Sequence, residues 1–321
     1  MARLLALAAL LLAQGVLAKP DFAAYVQALK VEAAGQGISQ ATLDAAFADV
    51  RLMKKAIKAD RNQPEFKLTL EGYLAKTLPE WKVKLTRQRY LENREQIEAA
   101  ARRYGVQGRF LAALWAKESS FGKIQGNFPV VSALASMAYE GRREAFFKKE
   151  LMAALQILDE GHIDLADFKG SWAGAMGQTQ FMPSSFLAFA ADGDGDGKKD
   201  IWNNKADVFA SMANYLAQSG WQGSETWGRQ VRVPAGFDWS QVNQSRSLAD
   251  WQALGVRRMN GRDLPRAGMQ AQFKAVDGEK GRLYLVYNNY QVLKRWNRSD
   301  FFATAVGVLA DRVAWPPLEA K

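Results

Sequence analysis

The period of hydrophobicity changes twice along this chain, and that pattern narrows the folds open to it. From Pro20 to about Leu70, and again in separate stretches as far as Gln218, apolar residues recur at three- and four-residue intervals, the spacing of helix faces. Phe22–Leu29 and Thr42–Val50 are short amphipathic stretches. A charged helix is expected over residues 89–104, stopped by Gly105. An apolar helix follows over 108–118, a third over 143–158, and a fourth from about Ala206 to Gln218 before Gly220. On the third, Glu144 and Lys148 lie four apart and predict a surface pair. Residues 228–295 alternate between Gly, Pro and Asp turns, predicting strands at Gln230–Val233, Gln270–Val276 and Arg282–Tyr287. After Ser299-Asp300, a plausible cap, the helical period returns from Phe301 to about Val313. The expected class is mainly α (α+β), with one small β-rich insertion late in the chain.

The 321 residues suffice for two or three packed units. Residues 1–18 stand apart: Arg3, the apolar run Leu4–Leu12, then Val16-Leu17-Ala18. This three-part pattern reads as a secretory signal peptide, too short to span a bilayer; a buried N-terminal helix is the alternative. No later segment is apolar for long enough to cross a membrane, so the mature chain is expected to be soluble and outside the cytoplasm.

Cysteine is absent, which excludes disulfides, thiol nucleophiles, thiolate metal sites and a lipid anchor on an N-terminal cysteine. The single histidine, His162, lies in a polar stretch and is expected to be solvated, which argues against histidine-driven catalysis. Chemistry must then fall to carboxylates, hydroxyls, lysine or a metal held by oxygen. Removal of residues 1–18 takes the net charge from +10 to +9. A basic surface favours polyanions. Export and the dispersed charge argue against a nucleic-acid partner.

The segment Phe110–Gly122 carries the sharpest signal. Leu111, Leu114 and Trp115 share one helix face, and Glu118, four from Leu114 and three from Trp115, falls on it too. An acid on an apolar face is unusual. Lys117 points about 100° away from it. Apolar surroundings and the negative end of the helix dipole both favour the protonated carboxyl. Glycosidic cleavage needs such a proton donor near neutral pH. The bland alternative places Glu118 at the rim, paired with a cation. Ser120 and Lys123 also satisfy a Ser-x-x-Lys pattern, but the companion motifs of the serine enzymes that use it are missing, and we read it as chance.

Residues 170–186 combine small residues with Trp172, Phe181, Gln178 and Gln180, the mixture of flat apolar faces and amides that sugars require. A packed structural turn is the alternative. In 192–203, Asp192, Asp194, Asp196 and Asp200 occupy positions 1, 3, 5 and 9 of an EF-hand loop, with Gly197 at the sharp turn and Lys198 offering its carbonyl. Asn203 stands where a bidentate Glu is expected. The loop is read as a structural Ca²⁺ site, with a metal-free Asp-Gly loop as the alternative.

Taken in order, Ala116–Gly122, Gly170–Ser185, Asp192–Trp202 and Tyr287–Phe302 resemble the membrane-bound lytic murein transglycosylase B family over roughly residues 20–315. The resemblance implies a lysozyme-like helical core with a flanking α domain and a small β-rich domain. The segments would be a signal peptide (1–18), an N-terminal α domain with part of the C-terminal segment (19–75), a catalytic core containing the 192–203 loop (76–225), a β-rich domain (226–295) and a C-terminal helix returning to the core (296–321). It implies that Glu118 is the acid/base catalyst and that Ser171, Trp172, Gln180, Trp296, Asn297 and Phe302 line the glycan site. Members often carry Tyr at the positions of Trp296 and Phe302, so this chain keeps the aromatic surface without the phenol.

The implied reaction cleaves the MurNAc–GlcNAc bond of peptidoglycan without water, giving 1,6-anhydroMurNAc ends. It needs no cofactor and no second carboxylate. A hydrolytic muramidase and a non-catalytic wall-binding protein are the alternatives. A soluble periplasmic monomer is expected, with glycan strands as substrate and cell-wall synthesis or remodelling proteins as partners.

Overall fold

Three apolar clusters organise the chain, and two of them draw on segments far apart in sequence. The computed structural model describes residues 21–61 and 68–314; the segment read as a signal peptide lies outside them. The first half is built of α1 (Phe22–Gly35), α2 (Gln40–Phe47), α3 (Lys54–Arg61), α4 (Leu70–Thr77), α5 (Glu80–Glu92), α6 (Arg94–Tyr104) and α7 (Gly108–Glu118). Then come β1 (Phe128–Pro129), α8 (Val130–Glu140), α9 (Glu144–Asp159), β2 (Lys169–Gly170), α10 (Pro183–Phe189) and α11 (Lys205–Gln218). The last part holds β3 (Gly228–Arg232), β4 (Ser245–Ser247), α12 (Leu248–Ala253), β5 (Arg257–Arg258), β6 (Gln270–Ala275), β7 (Leu283–Val286), α13 (Asn288–Trp296) and α14 (Asp300–Ala314). No helix among the described residues is long and apolar enough to cross a membrane.

One cluster joins α4–α7 to α11, α13 and α14, with α7 buried from Phe110 to Ala116. A second joins α1–α3 to α8–α10 and the 168–202 segment. Helices α1–α3 share their cluster with α8 and α9, while α4 packs on α14. The third cluster lies within the antiparallel sheet of order β4-β6-β7-β3-β5 and its helix α12. Central β7 is buried along its whole length, with Val286 opposite Gly228 on one side and Gln272 on the other. It runs through Tyr287 directly into α13, so the sheet aims α13 back at the helical core.

The expected single helix over 89–104 is two helices. Asn93 breaks the run with φ −118°, donates its side-chain amide to the Arg89 carbonyl and accepts from Lys205. Gly105 is the predicted stop, in the left-handed region at φ 67°. Glu144 and Lys148 do not pair with each other. Both reach α1: Glu144 accepts from the Tyr25 hydroxyl, and Lys148 lies 2.6 Å from Glu32. His162, expected to be solvated, is largely covered, packing on Phe186 and lying 3.3 Å from Glu160; burial lowers its pKa.

Candidate active site

Glu118 is the last residue of α7, and the chain after it explains why no helical turn stacks over its side chain. Ser120, Phe121 and Gly122 all take positive φ, at 50°, 64° and 80°. Two successive non-glycine residues there are costly, and such strain persists only where the surroundings enforce it. The Trp115 carbonyl accepts from the Phe121 N–H at 3.2 Å, and the Ser119 hydroxyl accepts from the Gly122 N–H at 3.0 Å. A Cβ on Gly122 would come within 2.6 Å of Gln178 Oε1, so only glycine fits.

Gln178, read from sequence as a sugar ligand, is a buried brace. It accepts from Trp115 Nε1 at 2.7 Å and donates to the Trp202 carbonyl at 2.8 Å. This ties α7 to the 170–181 segment and to the residues before α11. Gln125 adds a second tie, donating to the carbonyls of Gly122 and Trp202.

From the other side, α13 delivers Trp296. Asn289 accepts from the Gln222 N–H and donates to the carbonyls of Gln222 and Glu225, holding the start of α13. Tyr215 Oη donates to the Arg295 carbonyl at 2.9 Å, and Arg295 donates to the Ser219 carbonyl, holding its end. The Trp296 ring then packs on Phe181 and Tyr215, with centroids 5.2 and 4.7 Å away. Its Nε1–H donates to Glu118 Oε1 at 2.6 Å.

Glu118 keeps only partial access to solvent. Burial pushes its pKa up to about 7, against the opposing effects of the Trp296 hydrogen bond and the Lys117 charge. Lys117 turns the other way, donating to the Tyr73 hydroxyl at 3.2 Å and lying over the rings of Tyr73 and Phe302. Its own burial, helped by Lys82, pushes its pKa down to about 8. A carboxyl that titrates near neutrality can release a proton and recover it under the same conditions.

The other expected site residues fall at different depths. Ser171 is partly exposed, and its hydroxyl oxygen accepts from the Ala173 and Ala175 N–H groups. Trp172 is partly exposed beside the second cluster. Gln180, in the left-handed region at φ 51°, donates to the carbonyls of Gln125 and Gly177. Asn297 is exposed and accepts from the Ser299 N–H at 3.0 Å. Phe302 is buried, at 7% exposure, and lies beneath Lys117 rather than at a surface. The sequence reading missed Tyr73 and Tyr215 altogether. Tyr215 was findable as an aromatic within a predicted helix; Tyr73 gave no signal.

The acidic loop is a separate site. Carboxylate oxygens of Asp192, Asp194 and Asp196 lie within 4.8 Å of one another. Three expected ligands, Lys198, Asp200 and Asn203, are not among these carboxylates. Asp200 Oδ1 instead accepts from the N–H groups of Trp202 and Asn203, each at 2.9 Å, and Asn203 is exposed. The buried Asp207, missed in the sequence, anchors the loop by accepting from the Gly193 and Asp200 N–H groups at 2.7 Å each. Burial pushes its pKa up to about 6.

A cavity of about 740 Å³ lies between α1 and α9; it contains none of the residues around Glu118, and its ion pair, Lys148–Glu32, is already satisfied.

Fold and site define a class: a helical protein with a small antiparallel sheet and a largely covered carboxyl hydrogen-bonded by an indole. The chain belongs to the transglycosylase SLT-domain family, matched over residues 21–311. It is 31% identical over 221 residues to the membrane-bound lytic murein transglycosylase B of Escherichia coli K12; that match covers 66% of this chain and spans 58% of the relative's length. The crystal structure of SltB3 from Pseudomonas aeruginosa in complex with NAG-anhNAM-pentapeptide superposes with a TM-score of 0.89 at 40% identity, covering 92% of this chain and 80% of that one. Soluble lytic transglycosylase SltB1 from the same organism superposes with a TM-score of 0.79 at 29% identity, covering 92% and 98%.

Proposed function

We propose that this protein is a lytic transglycosylase of peptidoglycan, with Glu118 acting first as acid and then as base. The observation that carries the reading is a single carboxyl, covered enough for burial to push its pKa up to about 7, at the end of an apolar helix. Family membership supports it, as do complexes of the related SltB3 with NAG-anhNAM-pentapeptide and with NAG-NAM-pentapeptide. Glu118 gives its proton to the oxygen joining MurNAc to GlcNAc as the bond from C1 to that oxygen breaks. The carboxylate so formed takes the proton of the C6 hydroxyl while O6 bonds to C1, closing the 1,6-anhydro ring and restoring the acid. The nucleophile belongs to the substrate, so one carboxyl suffices.

Ser171, Trp172, Gln180, Trp296 and Asn297 are the side chains proposed to meet the glycan, with Phe302 supporting them from below. The Asp192, Asp194 and Asp196 carboxylates are the groups that would hold a Ca²⁺ ion, whose contribution would be to fix the loop. Export to the periplasm is the proposed localisation, on the pattern of residues 1–18.

The test is digestion of purified sacculi followed by mass spectrometry of the released muropeptides. Anhydro ends are expected from the wild-type protein and none from Glu118→Gln. Reducing ends that borohydride converts to muramitol, with no anhydro sugar, would mean a hydrolase instead.

A further inference from the structure

We propose that Trp296 is a positioning residue that fixes the acidic proton of Glu118 on Oε2, so that the acid is presented from one defined oxygen. This rests on the reading of Glu118 as the general acid. An indole N–H donates and cannot accept. Its partner, Oε1 at 2.6 Å, must therefore accept in both protonation states. In the neutral carboxyl the better acceptor is the carbonyl oxygen, which leaves the hydroxyl on Oε2. In the anion the same N–H stabilises the charge that remains after proton transfer.

The indole can hold this geometry because it is itself held. Phe181 and Tyr215 pack against its ring, and Tyr215 also fastens the carbonyl of Arg295, one residue earlier. A group fixed by packing and hydrogen bonds keeps a catalytic side chain within the narrow range that proton transfer demands. A phenol at this position could either donate or accept, and would not impose the same choice.

The charged and titratable groups facing Glu118 are few. Lys117 adjoins it on α7, Tyr73 faces that lysine from α4, and Lys82 of α5 acts on Lys117. All three persist when Trp296 is changed. The indole hydrogen bond favours the anion, so its removal lets burial push the Glu118 pKa higher still.

The experiment compares the pH dependence of kcat and KM for wild type, Trp296→Phe, Trp296→Tyr, and the chain carrying 3-benzothienylalanine at 296. That last residue replaces the indole N–H by sulfur with nearly the same shape. Loss of the N–H should lower kcat by about tenfold or more, as expected for a misplaced acid, while KM changes less than about threefold. The basic limb should move upward in both variants lacking a donor, by roughly one pH unit. Trp296→Tyr should recover part of kcat and bring the limb back.

If Trp296→Phe fails to fold, the benzothienyl chain decides alone. An unmoved basic limb in that chain, or a loss confined to KM, would overturn the proposal and leave Trp296 as a binding surface. Should Glu118→Gln still release anhydro products, the underlying assignment of the acid falls instead.

Discussion

Glu118 and the Asp192–Asp196 loop present the same functional group in opposite surroundings. Glu118 ends the apolar helix α7 against the Trp296 indole, and burial dominates its titration. Asp192 accepts from the backbone N–H groups of Gly195 and Gly197, and those donors, Gly197 first, hold its carboxyl below the usual range. Burial favours the neutral form of one carboxyl, and accepted hydrogen bonds favour the anion of the other. The contrast separates a group suited to giving a proton from groups suited to cations or to ordering a loop.

The largest expected effect sets the two regions directly against each other. Glu118→Gln should lower the rate of anhydro-muropeptide release by about 10²–10⁴-fold, the usual worth of general acid–base catalysis. Asp196→Asn should cause a loss at least about tenfold smaller, since it would act only through the loop. Both rates come from one muropeptide assay, with circular dichroism to show retained folding. Equal losses would erase the distinction.

Next in size is the buried anchor of the loop. Asp207→Ala leaves the Gly193 and Asp200 N–H groups without their acceptor. Stability should fall by on the order of 2 kcal/mol, read as a drop of a few degrees in thermal melting. A melting temperature equal to wild type would show that the loop is held by its own turns.

The sequence disclosed the helical side of this arrangement well and the converging side poorly. Residues 108–118 were readable because α7 contains its own evidence: apolar residues at helical spacing and an acid on their face. The partner of that acid was not, because Trp296 arrives from 178 residues away and its approach depends on the sheet, on Asn289 and on Tyr215. Asn93 was hidden by strong helix formers on both sides, although a Lys205 contact stabilises the break. In the acidic loop the EF-hand spacing found the three clustered aspartates. Asp200 lies outside that cluster, and its carboxylate caps the backbone of residues 202 and 203.

An effect of similar size, read through its pH dependence, links the first carboxyl to stability. The Glu118 pKa is raised from 4.5 to about 7, so the folded chain binds a proton more tightly than the unfolded chain does. That contribution is complete below about pH 4.5 and is lost as pH rises through 7. Glu118→Gln has no such group. Its melting temperature relative to wild type should therefore climb between pH 5 and pH 8, by an amount on the order of 2 kcal/mol when converted. A difference that is flat with pH would mean that the carboxyl is well solvated.

The smallest expected effect concerns the loop's three oxygens. With Asp192, Asp194 and Asp196 already within 4.8 Å of one another, Ca²⁺ should bind the folded chain and stabilise it by about 1 kcal/mol once its concentration is several times Kd. Asp200 accepts from two backbone N–H groups, Asn203 offers one neutral oxygen, and Lys198 and Lys199 oppose a cation, so affinity should lie toward the millimolar end of such loops. Thermal melting across 0–10 mM CaCl₂, with MgCl₂ as control, measures this directly. The shift should vanish in Asp194→Ala, whereas the basic limb of the wild-type pH–rate profile should not move with Ca²⁺. A melting curve indifferent to Ca²⁺ would leave these aspartates as makers of the turn alone.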